Sequence, residues 1–160
     1  MIHNDIYTLL AEIKDKFTTI EDLITARNTA NKECNSITER LDYVNLTEGS
    51  NTDKIERIVA QVIKYNINII PTSKDSNLVR SALVAELGDK GLKYWLTIRR
   101  FREDFEESAQ VKRYNYLLKN RDKNTMTFGT IVNRYKNAID LYNENNLKKI
   151  LTKCITVNKV

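Results

Sequence analysis

Ten basic side chains between residues 99 and 136 are the ones whose chemistry points to a ligand. A lysine or arginine on an exposed helix face can neutralise one backbone phosphate, and the contact releases a counterion. Residues 51–160 hold 21 Lys/Arg against 12 Asp/Glu, a net charge of +9, whereas residues 1–50 carry −4. A basic body of this kind favours a polyanion partner. The ten candidate nucleic-acid-binding residues are Arg99, Arg100, Arg102, Lys112, Arg113, Lys119, Arg121, Lys123, Arg134 and Lys136.

Aromatic side chains are interleaved with these charges at Tyr94, Phe101, Phe105 and Tyr116. An exposed aromatic ring can stack on a base of a single strand, which is worth about 1–3 kcal/mol per base. Core packing is the commoner role of aromatics at helical spacing. Both roles stay open for the four residues.

No constellation in the chain predicts catalysis. Asp104, Glu106 and Glu107 are close in sequence, but no histidine and no further acidic constellation lies near them. The Gly88-x-x-Gly91 spacing lacks the Gly-Lys-Ser/Thr end of a phosphate-binding P-loop. Two cysteines stand alone in separate segments, without the spacing of a metal site. We therefore expect a protein that is not an enzyme and that uses no cofactor and no metal.

The composition predicts an all-α fold. Four Gly and one Pro in 160 residues are too few for the turns of a sandwich or a barrel. Hydrophobic residues make up 41% and charged residues 29%, which suits helices with one buried and one wet face. No run of 18 apolar residues and no signal peptide is present. The expectation is a cytoplasmic protein without a membrane partner, in a bacterial host if the gene belongs to a phage.

Residues 1–46 are predicted to form an amphipathic, coiled-coil-like helical arm. Its apolar residues recur in steps of four and three, and the stripe changes phase near Arg27. One long helix and a helical hairpin both fit this pattern. An arm of this kind needs a packing surface, which its own domain, a second copy of the chain or another protein can supply. The stripe comprises Ile6, Leu10, Ile13, Phe17, Ile20, Ile24, Ala30, Cys34, Ile37, Leu41 and Val44.

The remainder is predicted as a linker at 47–53, a helical bundle at 54–143 and a basic tail at 144–160. One helix starts near Asp53 and buries Ile55, Ile58, Val59, Val62 and Ile63. Residues 67–71 should be an extended connection whose isoleucines enter the core. A second helix, starting near Lys74, ends at Gly88 as a left-handed cap. Ser108 and Thr127 are predicted to cap the last two strong helices.

Two segments carry a resemblance to a known family: Gly88-Asp-Lys-Gly-Leu-Lys-Tyr-Trp95 and Thr127-Phe-Gly-Thr-Ile131. With the order of helices around them, residues 55–138 resemble the helical primase C-terminal domain called the PriCT family. Family members usually carry a second Trp where this chain has Tyr114. The resemblance implies that these shared residues are structural, and that the module accompanies primase or helicase domains of phages, plasmids and mobile elements.

Two functions follow from these observations. The first is a non-catalytic replication accessory whose basic helical face contacts the phosphate backbone of nucleic acid, most simply DNA, while residues 1–46 recruit a primase, a helicase or another protein. The alternative is an assembly or adaptor protein of a phage or mobile element that acts through the arm, as a homo-oligomer or with a different partner.

Overall fold

The structure is a computed structural model that describes residues 40–157, with side chains as far as residue 153, and six isolated positions at 8, 11, 22, 24, 25 and 28. Residues 42–140 form one compact unit, and residues 1–41 and 141–160 belong to another. Residues 40–157 are predominantly helical and contain no β-strand. The all-α prediction is confirmed for this part of the chain, and the predicted helical arm lies almost wholly outside it.

Five α-helices and two short 3-10 turns follow one another within residues 40–157. The 3-10 turns are Gly88–Gly91, between the second and third helices, and Arg121–Lys123, between the fourth and fifth. The helices are α1 (Asn51–Lys64), α2 (Ser73–Leu87), α3 (Leu92–Arg99), α4 (Glu107–Lys119) and α5 (Phe128–Val157).

Capping boxes start the first two helices. The Ser50 hydroxyl accepts from the backbone N–H of Asp53 at 3.2 Å, and the Asp53 carboxylate accepts from the Ser50 N–H at 2.8 Å. Thr72 and Asp75 repeat the arrangement at α2. Each box satisfies two backbone donors that the helix leaves unpaired. Helix α1 therefore begins inside the predicted linker, because Asp53 is the third helical residue and not the cap.

The core of the 42–140 unit is made by one face of each helix and by the connection between α1 and α2. Ile67, Ile69 and Ile70 are buried in that connection, as predicted. Helix α1 buries the predicted stripe except for Ile63, which is 53% exposed. Ile63 lies at the edge of the stripe, where the helix turns its side chain away from the core.

The corner between α2 and α3 is tightly packed. Gly88 takes a φ of +59°, the region that favours glycine, and ends α2 as predicted. The buried Tyr114 hydroxyl of α4 donates to the Gly88 carbonyl oxygen at 2.6 Å. A Cβ on Gly91 would overlap that hydroxyl and come within 2.9 Å of the Leu83 carbonyl oxygen. Trp95 is completely buried beside this corner.

The starts of α4 and α5 differ from the caps predicted at Ser108 and Thr127. Helix α4 begins at Glu107, with Glu106 as the cap residue and no side-chain capping bond, and the Ser108 hydroxyl inside the helix donates to Glu106. At the start of α5 the Phe128 N–H donates to the Glu86 carboxylate at 2.7 Å. The same carboxylate accepts from the Asn51 side chain at 2.8 Å. The Glu86 carboxylate of α2 thus accepts hydrogen bonds from the first residue of both α1 and α5.

Two predicted segment boundaries also differ. The segment 40–46 is not helical, so Leu41 and Val44 do not continue the helical stripe of the arm. Instead, the Asn143 side chain bonds both backbone groups of Leu41, and the Val44 N–H donates to the Tyr135 hydroxyl. Residues 144–157, predicted as the beginning of a separate tail, continue α5 without a break.

Gly91→Ala tests the tight corner. The backbone at Gly91 is in the ordinary right-handed helical region, so alanine adds only volume. We expect a loss of roughly 1–3 kcal/mol in the free energy of unfolding, because the new methyl group must displace Tyr114 or the α2 backbone. Urea denaturation measures this loss.

Gly129→Ala is the matched control, since the nearest atom to its Cβ would be at 3.4 Å. This variant should unfold at the same urea concentration as the wild type or a higher one. Equal stabilities of the two variants would show that Gly91 is not tightly packed.

Candidate nucleic-acid interface

The ten predicted basic residues separate into two sets according to what their side chains contact. Four arginines reach protein acceptors and help hold the 42–140 unit together. Of the other six, five are exposed and Lys136 is half-buried, and most of the six follow one face of α4 and the turn after it.

Arg99 is the most buried of the ten, at 4% exposure. Its guanidinium donates to both carboxylate oxygens of Asp104, at 2.9 and 2.8 Å. Arg102 adds a bond to the same carboxylate at 3.3 Å and reaches the Pro71 carbonyl oxygen at 3.0 Å. The hydrogen bonds from Arg99, followed by those from Arg102, hold the pKa of Asp104 well below its usual range. Arg99 is therefore a buried side chain engaged by the exposed Asp104 carboxylate, and it is not free to meet a phosphate.

Arg121, in the turn after α4, and Arg134, in α5, each bond a group on helix α2. Arg121 donates from two nitrogens to the Ala85 carbonyl oxygen, at 3.2 and 2.7 Å, which satisfies a carbonyl in the last turn of α2. Arg134 of α5 pairs with Asp75, in the first turn of α2, at 2.9 Å. Both side chains are engaged within the fold.

Arg100, which is exposed, and Lys136, which is half-buried, lie beside aromatic rings. Arg100 pairs with Glu107 at 3.5 Å and lies 5.5 Å from the centre of the Phe105 ring. The Lys136 ammonium group lies 5.3 Å from the centre of the Tyr43 ring. Each contributes positive charge, and each already has a local contact.

The outer face of α4, defined here as Lys112, Tyr116 and Lys119 with Arg113 at its edge, is basic and exposed. Spacings of four and three place the first three residues on one side of the helix. The opposite side buries Gln110 and Tyr114. Among residues 40–157, no carboxylate forms an ion pair with these three basic side chains or with Lys123 in the following turn.

Tyr116 is the exposed member of the four aromatic candidates, at 69%. Tyr94 is buried and donates its hydroxyl to Glu56 at 2.6 Å. Phe101 and Phe105 are half-buried. Of the four, Tyr116 alone offers most of its ring for stacking on a base.

One residue near this face was missed by the sequence reasoning. Arg80 of α2 lies with its guanidinium 5.6 Å from the centre of the Trp95 ring. Burial lowers the pKa of Arg80, and the charges of Arg113 and Arg99 lower it further. The available signal was a single charge inside the otherwise apolar and small run Leu78-Val-Arg-Ser-Ala82.

Family models, curated proteins and solved structures yield no match to this chain. The PriCT resemblance therefore stays a prediction. Among the described residues, no helix combines the length and hydrophobicity needed to span a bilayer, and no group of three or more His, Cys, Asp or Glu is arranged to hold a metal ion.

Asp104→Asn tests the structural role of Arg99. The measurement is how the melting temperatures of the variant and the wild type depend on pH. The lowered pKa means that the pair contributes stability above the unfolded-state pKa of 3.8 and loses it as the pH falls through the lower folded-state value. The variant should melt below the wild type at pH 7, because Arg99 is then buried without its counter-charge. The difference in melting temperature should shrink as the pH falls below about 4.

Glu103→Gln, an exposed carboxylate in the same loop, is the matched control and should follow the wild type at every pH. A difference between Asp104→Asn and the wild type that stays constant from pH 7 to pH 3 would contradict the ion-pair assignment.

Proposed function

We propose that the 42–140 unit is a non-catalytic module that binds single-stranded nucleic acid through the outer face of α4. The observation that carries the proposal is the placement of unpaired basic side chains around Tyr116 on one exposed face. Lys112 and Lys119 lie one turn before and one turn after the ring, and Lys123 extends the charge beyond the helix.

This combination suits a single strand better than a duplex. A single strand offers unstacked bases to an exposed aromatic ring, while its phosphates meet the flanking lysines. The two lysines are separated by about 10 Å along the helix axis, so they can contact different phosphates of one strand. Lysine is a point charge on a flexible stem, so these contacts would follow the backbone without reading its sequence.

The PriCT resemblance supports a place for this module in replication. The residues that carry it include Gly88, Gly91 and Trp95, which form the corner that positions α4. We therefore propose a cytoplasmic accessory of a primase or helicase that contacts the DNA backbone. The alternative assembly function depends on residues 1–46, which lie almost wholly outside the described residues, and it stays a prediction.

The double variant Lys112→Gln/Lys119→Gln tests the proposal. We expect weaker binding of a short fluorescent oligothymidylate at low salt, because two phosphate contacts are lost. The slope of log affinity against log salt should fall by about 1.4, or 0.7 for each lost contact to a single strand. Tyr116→Ala should lower the affinity roughly tenfold with little change in that slope, because stacking releases no counterion. Fluorescence anisotropy across a salt series measures both quantities.

Lys64→Gln/Lys74→Gln, on helices α1 and α2, is the matched control, because it removes the same charge from two exposed lysines away from the outer face of α4. This variant should bind almost as the wild type does. Equal losses in the two double variants would indicate attraction by net charge alone, and the absence of wild-type binding at low salt would refute the proposal.

A further inference from the structure

Arg80 occupies an unusual position for a charged side chain. Its guanidinium lies over the Trp95 ring, and one terminal nitrogen donates to the Asn77 side chain at 2.8 Å. The Nε atom is buried and has no hydrogen-bond partner. Guanidinium nitrogens carry five donors in a fixed planar fork, and only one terminal nitrogen of Arg80 is bonded within the fold. Because the Nε atom is closed to solvent, a further acceptor would meet the terminal nitrogens.

The charge around Arg80 is also uncompensated. Helix α2 packs against α4. Burial lowers the pKa of Arg80, and the charge of Arg113 on α4 lowers it further. Arg99, the third arginine nearby, is already neutralised by Asp104. Within residues 40–157, no carboxylate forms an ion pair with Arg80 or Arg113. Two guanidinium groups on helices that pack together, without a counter-charge, favour the binding of an anion, particularly where one of them is half-buried.

We propose that Arg80 and Arg113 form a phosphate subsite that holds one phosphodiester group of a single strand beside Tyr116. Arg113 and Tyr116 are three residues apart on α4, so their side chains are neighbours on the helix surface. A strand whose base stacks on Tyr116 thus brings a phosphate to the two arginines. Planar guanidinium forks match the oxygens of a phosphate. This inference rests on the proposed function and adds to it one specific contact with a phosphate.

The test uses the full chain and four variants: Arg80→Gln, Arg113→Gln, Arg80→Lys and the double glutamine variant. Each single glutamine variant should lower the affinity for the oligothymidylate roughly tenfold, the loss expected for one charge-assisted hydrogen-bonded contact. Arg80→Lys keeps the charge and loses the fork, so its affinity should lie between those of Arg80→Gln and the wild type.

The double variant distinguishes a shared phosphate from two independent contacts. If both arginines hold one phosphate, the double variant loses little more than either single variant. Combining Arg113→Gln with Lys119→Gln is the matched control, and its losses should add. Additive losses for Arg80 and Arg113 would overturn the subsite. If Arg80→Gln fails to fold, Arg80→Lys replaces it in the same comparison with the exposed Arg113→Gln.

Inorganic pyrophosphate separates the subsite from the proposed function. It should raise the melting temperature of the wild type at constant ionic strength and have a smaller effect on Arg80→Gln or Arg113→Gln. If oligothymidylate binding depends on Lys112 and Lys119 but not on the two arginines, the subsite is wrong and the proposed function stands. If the wild type binds no oligothymidylate, the proposed function fails, and the anion site survives only if the pyrophosphate stabilisation requires both arginines.

Discussion

The hydrogen bond from the Tyr114 hydroxyl to the Gly88 carbonyl oxygen is the contact on which the arrangement of α4 depends. It is fully buried, so breaking it would leave a donor and an acceptor without partners. Burial raises the pKa of Tyr114 well above its usual range, and the hydroxyl therefore keeps the proton that it donates. Gly91 leaves the space in which this hydroxyl sits. With Tyr114 held inward, the period of the helix turns Lys112, Tyr116 and Lys119 outward.

The chemical difference between arginine and lysine explains why the ten predicted basic residues separate into two sets. Arg99, Arg102, Arg121 and Arg134 all bond carbonyl or carboxylate oxygens inside the fold, where a planar group with several donors can satisfy more than one acceptor. The side chains left without ion pairs on α4 and in the turn after it are mainly lysines, whose compact and strongly hydrated charge suits the surface. Arg113 on α4 is the exception, and with Arg80 of α2 its guanidinium group points to a more specific contact than a lysine would make.

Local signals in the sequence were enough to predict the helical fold, the buried isoleucines of 67–70 and the glycine that ends α2. These features depend on neighbouring residues: apolar periodicity, the approach to Pro71 and a positive φ at Gly88. The roles of the arginines were not predictable in this way, because Arg121 and Arg134 meet partners on α2 that are distant in sequence. The same holds for Glu86, whose carboxylate accepts from the first N–H of α5, where Thr127 was the predicted cap. Tyr116 and Tyr94 looked equivalent in sequence, and only packing separates them.

The central claim is that one face of one helix carries the binding activity. An NMR titration of the labelled chain with oligothymidylate tests it most directly, because amide signals locate the contact without any substitution. The shifts should concentrate in α4 between Lys112 and Lys119 and in the Arg80 side chain, and they should fade as salt is added. Signals from α1 should stay in place. Shifts spread evenly over the basic surface, or concentrated away from α4, would contradict the assignment.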